Sequence, residues 1–216
     1  MARARAAGVD GVLIPGTHPS TWARTRACAE EHGLSWALGV HPWFLADFDD
    51  IPLQGACAVG ECGLDGTRPR MQRQRAVLRR QLELAKDWGL PVLLHCVRAH
   101  VALLEMLRPF APLSGLMHSY SGSAELVPAF SELGLCFSFG GAVTWTEARR
   151  PRRAAAVVPL ERLFVESDGP GQAPQSRRGG RSEPSDVVEV IEALEQLRGE
   201  GLVRERHLRN RDLFGG

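Results

Sequence analysis

The stretch AVGECGLD, residues 58–65, decides how this sequence is interpreted. It begins as a short apolar run and continues into a glutamate, a cysteine, a glycine and an aspartate. Short apolar runs bounded by glycine are typical of buried strands. We therefore predict a strand over residues 56–60 that delivers Glu61 to the centre of a functional site.

Composition excludes several classes of protein. The chain has 216 residues with 44% hydrophobic content, enough for a packed core, and 26 Lys and Arg against 25 Asp and Glu. This balance gives no global field that would attract nucleic acid or a membrane surface. The longest apolar runs have strand length and the start MARARAAG has no signal-peptide core, so we expect a cytoplasmic protein without a membrane span.

The five cysteines are an odd number and form no C-x-x-C pair. This pattern argues against a disulfide framework and against a structural zinc finger. Cys62 and Cys96 each adjoin a candidate ligand, but we expect both to be buried, inert thiols because free cysteine behaves mostly as a small hydrophobe.

Apolar runs alternate with helical patterns along nearly the whole chain, which is typical of βα units and a parallel sheet. We predict helices over residues 20–32, 71–88, 99–108, 124–133 and 185–197, and a loop over 43–55. In the longest helix, an apolar face is predicted to include Leu78, Leu82 and Trp88. Seven strands are predicted, near Val12, Leu38, Val59, Leu93, Leu116, Phe137 and Phe164.

Parallel strands joined by helices form either an eight-stranded barrel or an open, doubly wound sheet. No glycine fingerprint for a dinucleotide follows the first strand. Five polar side chains stand where predicted strands end: His41, Glu61, His95, His118 and Asp168. Active sites of (β/α)8 barrels are built on that face. We therefore predict a single α/β domain of the TIM-barrel type, incomplete with seven of its eight strands.

The same side chains suit a metal site. Two imidazoles and a carboxylate bind zinc, manganese, iron or nickel, and a further carboxylate allows a second ion. Such a site makes bound water acidic or stabilises the oxygens of a phosphoryl transfer, so hydrolysis is the natural reaction class.

Six blocks of the sequence follow one another along the chain: GVHP at 39–42, AVGECGLD at 58–65, QLELAKDWGLPVLLHC at 81–96, HSYSGS at 118–123, ESDGP at 166–170 and GRSEP at 180–184. In this order they resemble the signature blocks of the TatD family of metal-dependent deoxyribonucleases. The closing Asn210, Leu213 and Phe214 also resemble that family's tail.

The resemblance implies a TIM-type barrel that hydrolyses phosphodiester bonds of DNA with one or two divalent metal ions, such as Mg, Mn or Zn. It implies that Glu61 bridges two metals, that His95 and His118 bind the second, and that Asp168 binds the first and manages the proton of the attacking water. Glu61 and Asp168 would then be the catalytic residues.

Two further residues are candidates for substrate binding. His41 stands in the G-x-H-P block and is expected to face the substrate phosphate. Arg98 follows the strand of His95, and a guanidinium can hold two phosphate oxygens at once. A simple surface cation remains an equal alternative for Arg98. No obligate protein partner is evident, and the expected partner is DNA or another phosphodiester.

The sequence departs from the family pattern at its start. Family members begin with a strand carrying an H-x-H pair that completes the first metal site, and this sequence contains no H-x-H pair. Its opening resembles the end of the family's first helix entering the second strand. We therefore expect a natural protein longer than these residues, single-metal occupancy, and reduced or absent nuclease activity for the chain as written.

Two other interpretations stay open. A metallo-hydrolase acting on a small amide or ester would commonly carry a metal-bridging lysine at a strand end, and none is present at such a position. The other interpretation is a non-catalytic barrel remnant that serves as a binding module.

Overall fold

The structure is a computed structural model that describes residues 1–199, 201 and 213–214. Asn210 of the tail block lies outside these residues. The described residues form seven α-helices: α1 (Ala2–Ala6), α2 (Pro19–His32), α3 (Met71–Trp88), α4 (His100–Leu107), α5 (Val127–Glu132), α6 (Arg149–Val157) and α7 (Val187–Arg198). The same part of the chain forms seven strands: β1 (Leu13–Gly16), β2 (Ser35–Leu38), β3 (Ala58–Asp65), β4 (Val92–Val97), β5 (Gly115–Met117), β6 (Leu135–Phe139) and β7 (Leu163–Val165).

Local chemistry explains where the two longest helices begin and end. Helix α2 starts after His18, whose ring accepts a hydrogen bond from the backbone of Ser20, and proline occupies its first position. Gly33 and Gly89 end α2 and α3 in the left-handed conformation, with φ of 64° and 63°. Glycine adopts this conformation without steric cost, so both helices stop where the sequence predicts.

The chain divides into two compact units that are discontinuous in sequence. One unit contains 11–117 and 132–135, where β1 through β5 pair in parallel with their sequence neighbours. The other contains 1–10, 118–131 and 136–199, where β6 and β7 pair in parallel. The count of seven strands in the described residues agrees with the prediction, and the single domain stays a prediction.

Several boundaries confirm the predictions from sequence. The structure places α3 at the predicted 71–88, and residues 43–55 form a loop without helix. The opening residues form a helix followed by a strand, as expected. The predicted apolar face of α3 is correct for Leu78 and Leu82 but wrong for Trp88, which is 42% exposed. Two glutamines, Gln74 and Gln81, are buried on that face instead.

The prediction that the polar residues stand at strand ends is partly wrong. Glu61 is the fourth of eight residues in β3, and His95 is the fourth of six in β4, so both lie inside their strands. His118 directly follows β5, whereas His41 and Asp168 each lie three residues beyond a strand. The cause is that β3 and β4 pair with each other past the apolar runs, through Asp65 and Val97.

The core of the first unit is formed by the apolar faces of β2, β3 and β4 together with α3. Val59, Leu64, Leu78 and Leu94 each expose 1% of their surface or less. In the described part of the chain, no helix combines the length and the apolar character that crossing a membrane requires.

Candidate metal centre

Glu61 occupies an irregularity in β3. Gly60 pairs with Leu93 of β4 and Cys62 pairs with the next residue, Leu94, so Glu61 is the extra residue between two consecutive pairs. One extra residue in a strand forms a β-bulge, which bends the strand and re-aims a side chain. The bulge therefore gives the Glu61 carboxylate an orientation that regular pairing would not.

The Glu61 carboxylate lies against two histidines of its own unit. Its Oε1 atom is 3.2 Å from Nε2 of His41 and 3.3 Å from Nδ1 of His95. The two imidazole rings are 4.3 Å apart between centroids, and both histidines are buried. One oxygen atom is thus shared by two ring nitrogens that arrive from different elements.

His95 has a second carboxylate on the other side of its ring. The Oδ2 atom of Asp65 is 3.4 Å from Nε2 of His95, while Glu61 faces Nδ1. Gly63, between the two acidic residues, pairs in register with His95. A Cβ atom on Gly63 would lie 1.9 Å from the carbonyl oxygen of His95, so only glycine permits this approach.

Asp65 is held by a full set of hydrogen-bond donors and is only 1% exposed. Its Oδ1 accepts from the backbone and hydroxyl of Thr67 at 2.8 and 2.6 Å, and its Oδ2 accepts from the indole of Trp43 at 2.6 Å. Burial alone would raise the pKa of Asp65, but these hydrogen bonds and the nearby His95 ring lower it to about 2. Asp65 is therefore an ionised carboxylate inside the site.

Two glutamines of α3 fix the backbone around these residues. The Gln81 side chain accepts from the Val40 N–H at 2.7 Å and donates to the Val40 carbonyl at 3.1 Å. Gln74, two turns earlier on the same face, accepts from the Asp65 N–H at 2.7 Å and donates to the Asp65 carbonyl at 3.0 Å. Helix α3 thereby holds the segment that carries His41 and the end of β3.

A second acidic cluster lies in the other unit. Nδ1 of His118 is 3.9 Å from Oε1 of Glu166 and 4.0 Å from Oδ1 of Asp168. Asp168 has a left-handed backbone, with φ of 47°, and accepts a hydrogen bond from the Gln172 side chain. The structure therefore brings His118 and Asp168 close to each other, as it does for His41, Glu61 and His95.

Glu166 is a member of this second cluster that was not among the predicted site residues. Burial raises the pKa of Glu166 to about 7, although His118 opposes the shift, and the Asp168 carboxylate adds to it. The hydroxyl of Ser138 donates to Oε2 of Glu166, while the buried Oε1 has no hydrogen-bond partner among the described residues. The only sequence signal was its place in the ESDGP block.

Arg98 and the two cysteines that adjoin candidate ligands lie outside both clusters of histidines and carboxylates. Arg98 is exposed, has a left-handed φ of 51°, and forms no ion pair with the described residues. Cys62 and Cys96 are buried, which confirms that part of the prediction, and burial raises the pKa of both thiols. That the thiols are inert stays a prediction.

The donor atoms in the first unit fit a divalent cation. One ligand atom each from His41, Glu61 and His95 can be chosen so that all lie within 4.8 Å of one another. Nitrogen and carboxylate donors in this combination suit zinc, manganese or iron.

Comparison with known proteins decides the family. The chain matches the TatD related DNase family over residues 1–210. This protein belongs to the TatD family. It is 35% identical to the uncharacterized metal-dependent hydrolase YjjV of Escherichia coli, over 93% of this chain and 83% of that protein. It is also 32% identical to a TatD protein of Pantoea ananatis named 3'-5' ssDNA/RNA exonuclease, over 100% and 92% of the two chains.

A solved TatD structure has the same fold. The crystal structure of Escherichia coli YjjV superimposes with a TM-score of 0.91 at 33% identity, covering 99% of this chain and 89% of the other. The predicted resemblance to TatD nucleases and the predicted α/β fold class of the TIM-barrel type are confirmed. As a member of this family, the chain is a metal-dependent hydrolase.

Proposed function

We propose that this protein hydrolyses phosphodiester bonds of single-stranded nucleic acid, DNA in the first place, with the help of a divalent metal ion, in the cytoplasm. Its relative in Pantoea ananatis is named as an exonuclease for single-stranded DNA and RNA. That name supports the substrate class, and the family supports the metal dependence.

One observation carries the proposal: Oε1 of Glu61 lies 3.2 and 3.3 Å from nitrogens of two buried histidines. Placing partly buried carboxylates and imidazoles this close together costs free energy unless they bind a positive charge or share a proton. Cation binding would stabilise this arrangement, in which the bulge in β3 directs the Glu61 carboxylate toward the two histidines.

In the unit that contains β1 to β5, we propose that Glu61 and His95 are metal ligands, through Oε1 and Nδ1. A bound divalent cation supplies positive charge that makes water more acidic and stabilises charge on phosphate oxygens. In the other unit, His118 and Asp168 are the proposed ligands, and Asp168 is also the proposed acceptor for the proton of the attacking water. The role of His41 is to donate from Nε2 to an anionic oxygen.

An aromatic surface beside these residues supports a single-stranded substrate. Trp43 and Phe44 are 53% and 51% exposed and directly follow the block of His41. The guanidinium of Arg68 lies 4.6 Å from the centre of the Trp43 ring. Aromatic rings combined with arginine bind unpaired bases by stacking, and they do so without sequence preference. Exposed Arg98 is the proposed contact for the phosphate backbone.

The decisive experiment measures release of nucleotides from a 5'-labelled single-stranded DNA in the presence of Mg²⁺, Mn²⁺ or Zn²⁺. Activity that requires the metal and falls at least about 100-fold in Glu61→Gln is expected, because the substitution removes the ligand charge. Glu105→Gln, which alters an exposed carboxylate on α4, is the matched control and should retain wild-type activity.

A parallel assay with p-nitrophenyl esters and anilides separates the alternatives. Hydrolysis of these substrates without DNA cleavage would show a small-substrate hydrolase instead. A protein that binds metal but cleaves neither kind of substrate would be a non-catalytic binding module.

A further inference from the structure

The segment 66–82, which leads from β3 into α3, concentrates basic charge. It contains six arginines and no aspartate or glutamate, although the whole chain has 26 Lys and Arg against 25 Asp and Glu. A local excess of one sign attracts anions even where the net charge of a protein is close to zero. Five of the six arginines are exposed: Arg68, Arg70, Arg73, Arg79 and Arg80.

Two of these arginines flank a cleft between α3 and the loop 43–55. Arg73 and Arg80 are two helical turns apart, about 10.5 Å along the axis, so they emerge on the same side of α3. The cleft has a volume of about 160 Å³, whereas sites that enclose a whole small ligand have about 300 to 1,000 Å³. It therefore fits one portion of an extended chain. This α3 cleft is lined by Asp47, Phe48, Arg73, Ala76, Val77 and Arg80.

Phe48 supplies an aromatic surface in the α3 cleft. Its side chain is half-buried, and its ring lies edge-on to the buried Trp22 ring, with centroids 6.4 Å apart. The indole of Trp22 in turn donates to the Gly39 carbonyl at 2.9 Å. The Phe48 ring is thus held in place before a ligand arrives, which lowers the entropy cost of binding.

The same combination of an aromatic ring and arginine occurs at Trp43, earlier in the loop. The guanidinium of Arg68 lies 4.6 Å from the centre of the Trp43 ring, and the Trp43 and His41 rings are 5.0 Å apart. The chain between Trp43 and Phe48 spans at most about 18 Å. Aromatic rings beside positive charge are typical of surfaces that bind single-stranded nucleic acid. The α3 cleft therefore extends the surface next to His41.

One carboxylate opposes the positive charge of the cleft. Asp47 forms an ion pair with Arg73, whereas Asp49 and Asp50 are not among the lining residues. The Asp47 side chain is 95% exposed, and ion pairs this exposed contribute little to stability, so a phosphate can replace Asp47 at Arg73. Arg80 is exposed and forms no ion pair with any residue that the structure describes.

We propose that the α3 cleft binds the part of a single-stranded nucleic acid that extends beyond the bond being cut. Arg80 and Arg73 bind phosphates, and a base stacks on Phe48. Asp47 competes with the phosphate for Arg73 and so limits the affinity. The proposal rests on the proposed function for the identity of the strand, but binding itself requires neither metal nor cleavage.

The test measures binding of 5'-fluorescein-labelled oligo(dT) of 3 and 12 nucleotides to the full chain, by fluorescence anisotropy in EDTA. Arg80→Gln should weaken binding of the 12-mer roughly 5- to 10-fold at 50 mM NaCl and lower the salt slope by about 0.7, the value of one phosphate contact in a single strand. Binding of the 3-mer should not change, because it does not reach the cleft.

Arg79→Gln is the matched control. It removes the same charge from the neighbouring exposed residue, which does not line the cleft, and it should change neither the affinity nor the salt slope. Equal losses in Arg79→Gln and Arg80→Gln would show an effect of net charge alone and overturn the proposal.

Two further variants test the other parts of the cleft. Asp47→Asn should tighten binding of the 12-mer by roughly the factor that Arg80→Gln loses, because it frees Arg73 for a phosphate. If Asp47 only tethers the loop to α3, its loss would weaken binding or leave it unchanged, which would contradict the competition. Phe48→Leu keeps an apolar contact with Trp22 but removes the ring, and it should weaken binding of the 12-mer at least about 5-fold.

A fluorescein-labelled peptide of 12 glutamates tests the competing occupant, an acidic protein segment. If this peptide bound as tightly as the DNA 12-mer and lost as much affinity in Arg80→Gln, or if the DNA 12-mer did not bind at 50 mM NaCl, the proposal would be wrong. The expected binding without nuclease activity would contradict the proposed function and leave the role of the cleft intact. Nuclease activity with unchanged binding in Arg80→Gln would do the reverse.

Discussion

Gln81 forms two hydrogen bonds with the backbone of Val40, the residue before His41, and both partners are buried. A single side-chain amide thereby replaces the strand partner that this backbone lacks beyond β2. Helix α3 thus does more than cover the sheet. Through Gln81 it also fixes the position of the backbone that carries His41.

Replacing Gln81 tests this link. Gln81→Met preserves volume but leaves the Val40 N–H and carbonyl without the amide that pairs them, so the free energy of unfolding should fall by about 1 to 3 kcal/mol. Urea denaturation measures the change, and Gln72→Met on the exposed side of α3 is the control that should stay within about 0.5 kcal/mol of wild type. Equal stabilities for the two variants would contradict the role of Gln81.

Metal binding should stabilise the fold through Glu61. A cation at 100 times its Kd adds about 2.7 kcal/mol, which raises the Tm of a protein of this size by roughly 5 to 10 °C. Thermal unfolding with Mn²⁺ or Zn²⁺ against EDTA should show this shift in the wild-type protein and in Glu105→Gln but not in Glu61→Gln.

We also expect no more than one tightly held ion in the 216-residue chain, measured by elemental analysis after gel filtration.

Glu166 should make stability depend on pH. Its pKa is about 7 in the folded protein, above the ordinary value of 4.5, so the folded state binds more protons between these values. The free energy of unfolding therefore falls as pH rises from about 4.5 to 7, by on the order of 3 kcal/mol, and the loss persists above pH 7.

Glu166→Gln, which stays neutral, should remove most of this slope when urea unfolding is measured in EDTA between pH 5 and 8. His118 and Asp168 face the same carboxyl and are unchanged in this variant, so any slope that remains belongs to them. A wild-type slope retained in full would show that Glu166 is not the group responsible.

Gly63 should tolerate no side chain. A Cβ atom would lie 1.9 Å from the carbonyl oxygen of His95, and the φ of 150° is one that other residues rarely adopt. Gly63→Ala should therefore cost more than about 3 kcal/mol or prevent folding.

Gly33→Ala is the comparison for this effect. Gly33 also has a positive φ, but no atom lies within 4 Å of the place where a Cβ would stand, so only the left-handed backbone is penalised, by about 1 to 2 kcal/mol. Urea denaturation of both variants measures the difference. Similar losses in the two would show that close packing against His95 is unimportant.

Local patterns predicted most helices and strands because the apolar pattern and the element it predicts extend over the same short stretch of sequence. The period of apolar residues predicted the full length of α3, and a glycine marked its end. Strand β3 was predicted too short, because its second half is buried by pairing with β4 although it carries Glu61 and Asp65. Contacts over long sequence separations, such as Trp43 with Asp65, have no local signature and were missed.

The bulge at Glu61 means that folding and function place opposite demands on β3. A single-residue deletion there would give regular pairing with β4, yet it would reverse the side of the strand on which Glu61 or its successors emerge. Better strand pairing would thus come with a lost carboxylate. The proposed ligand Glu61 therefore depends on an irregularity that strand pairing by itself does not require.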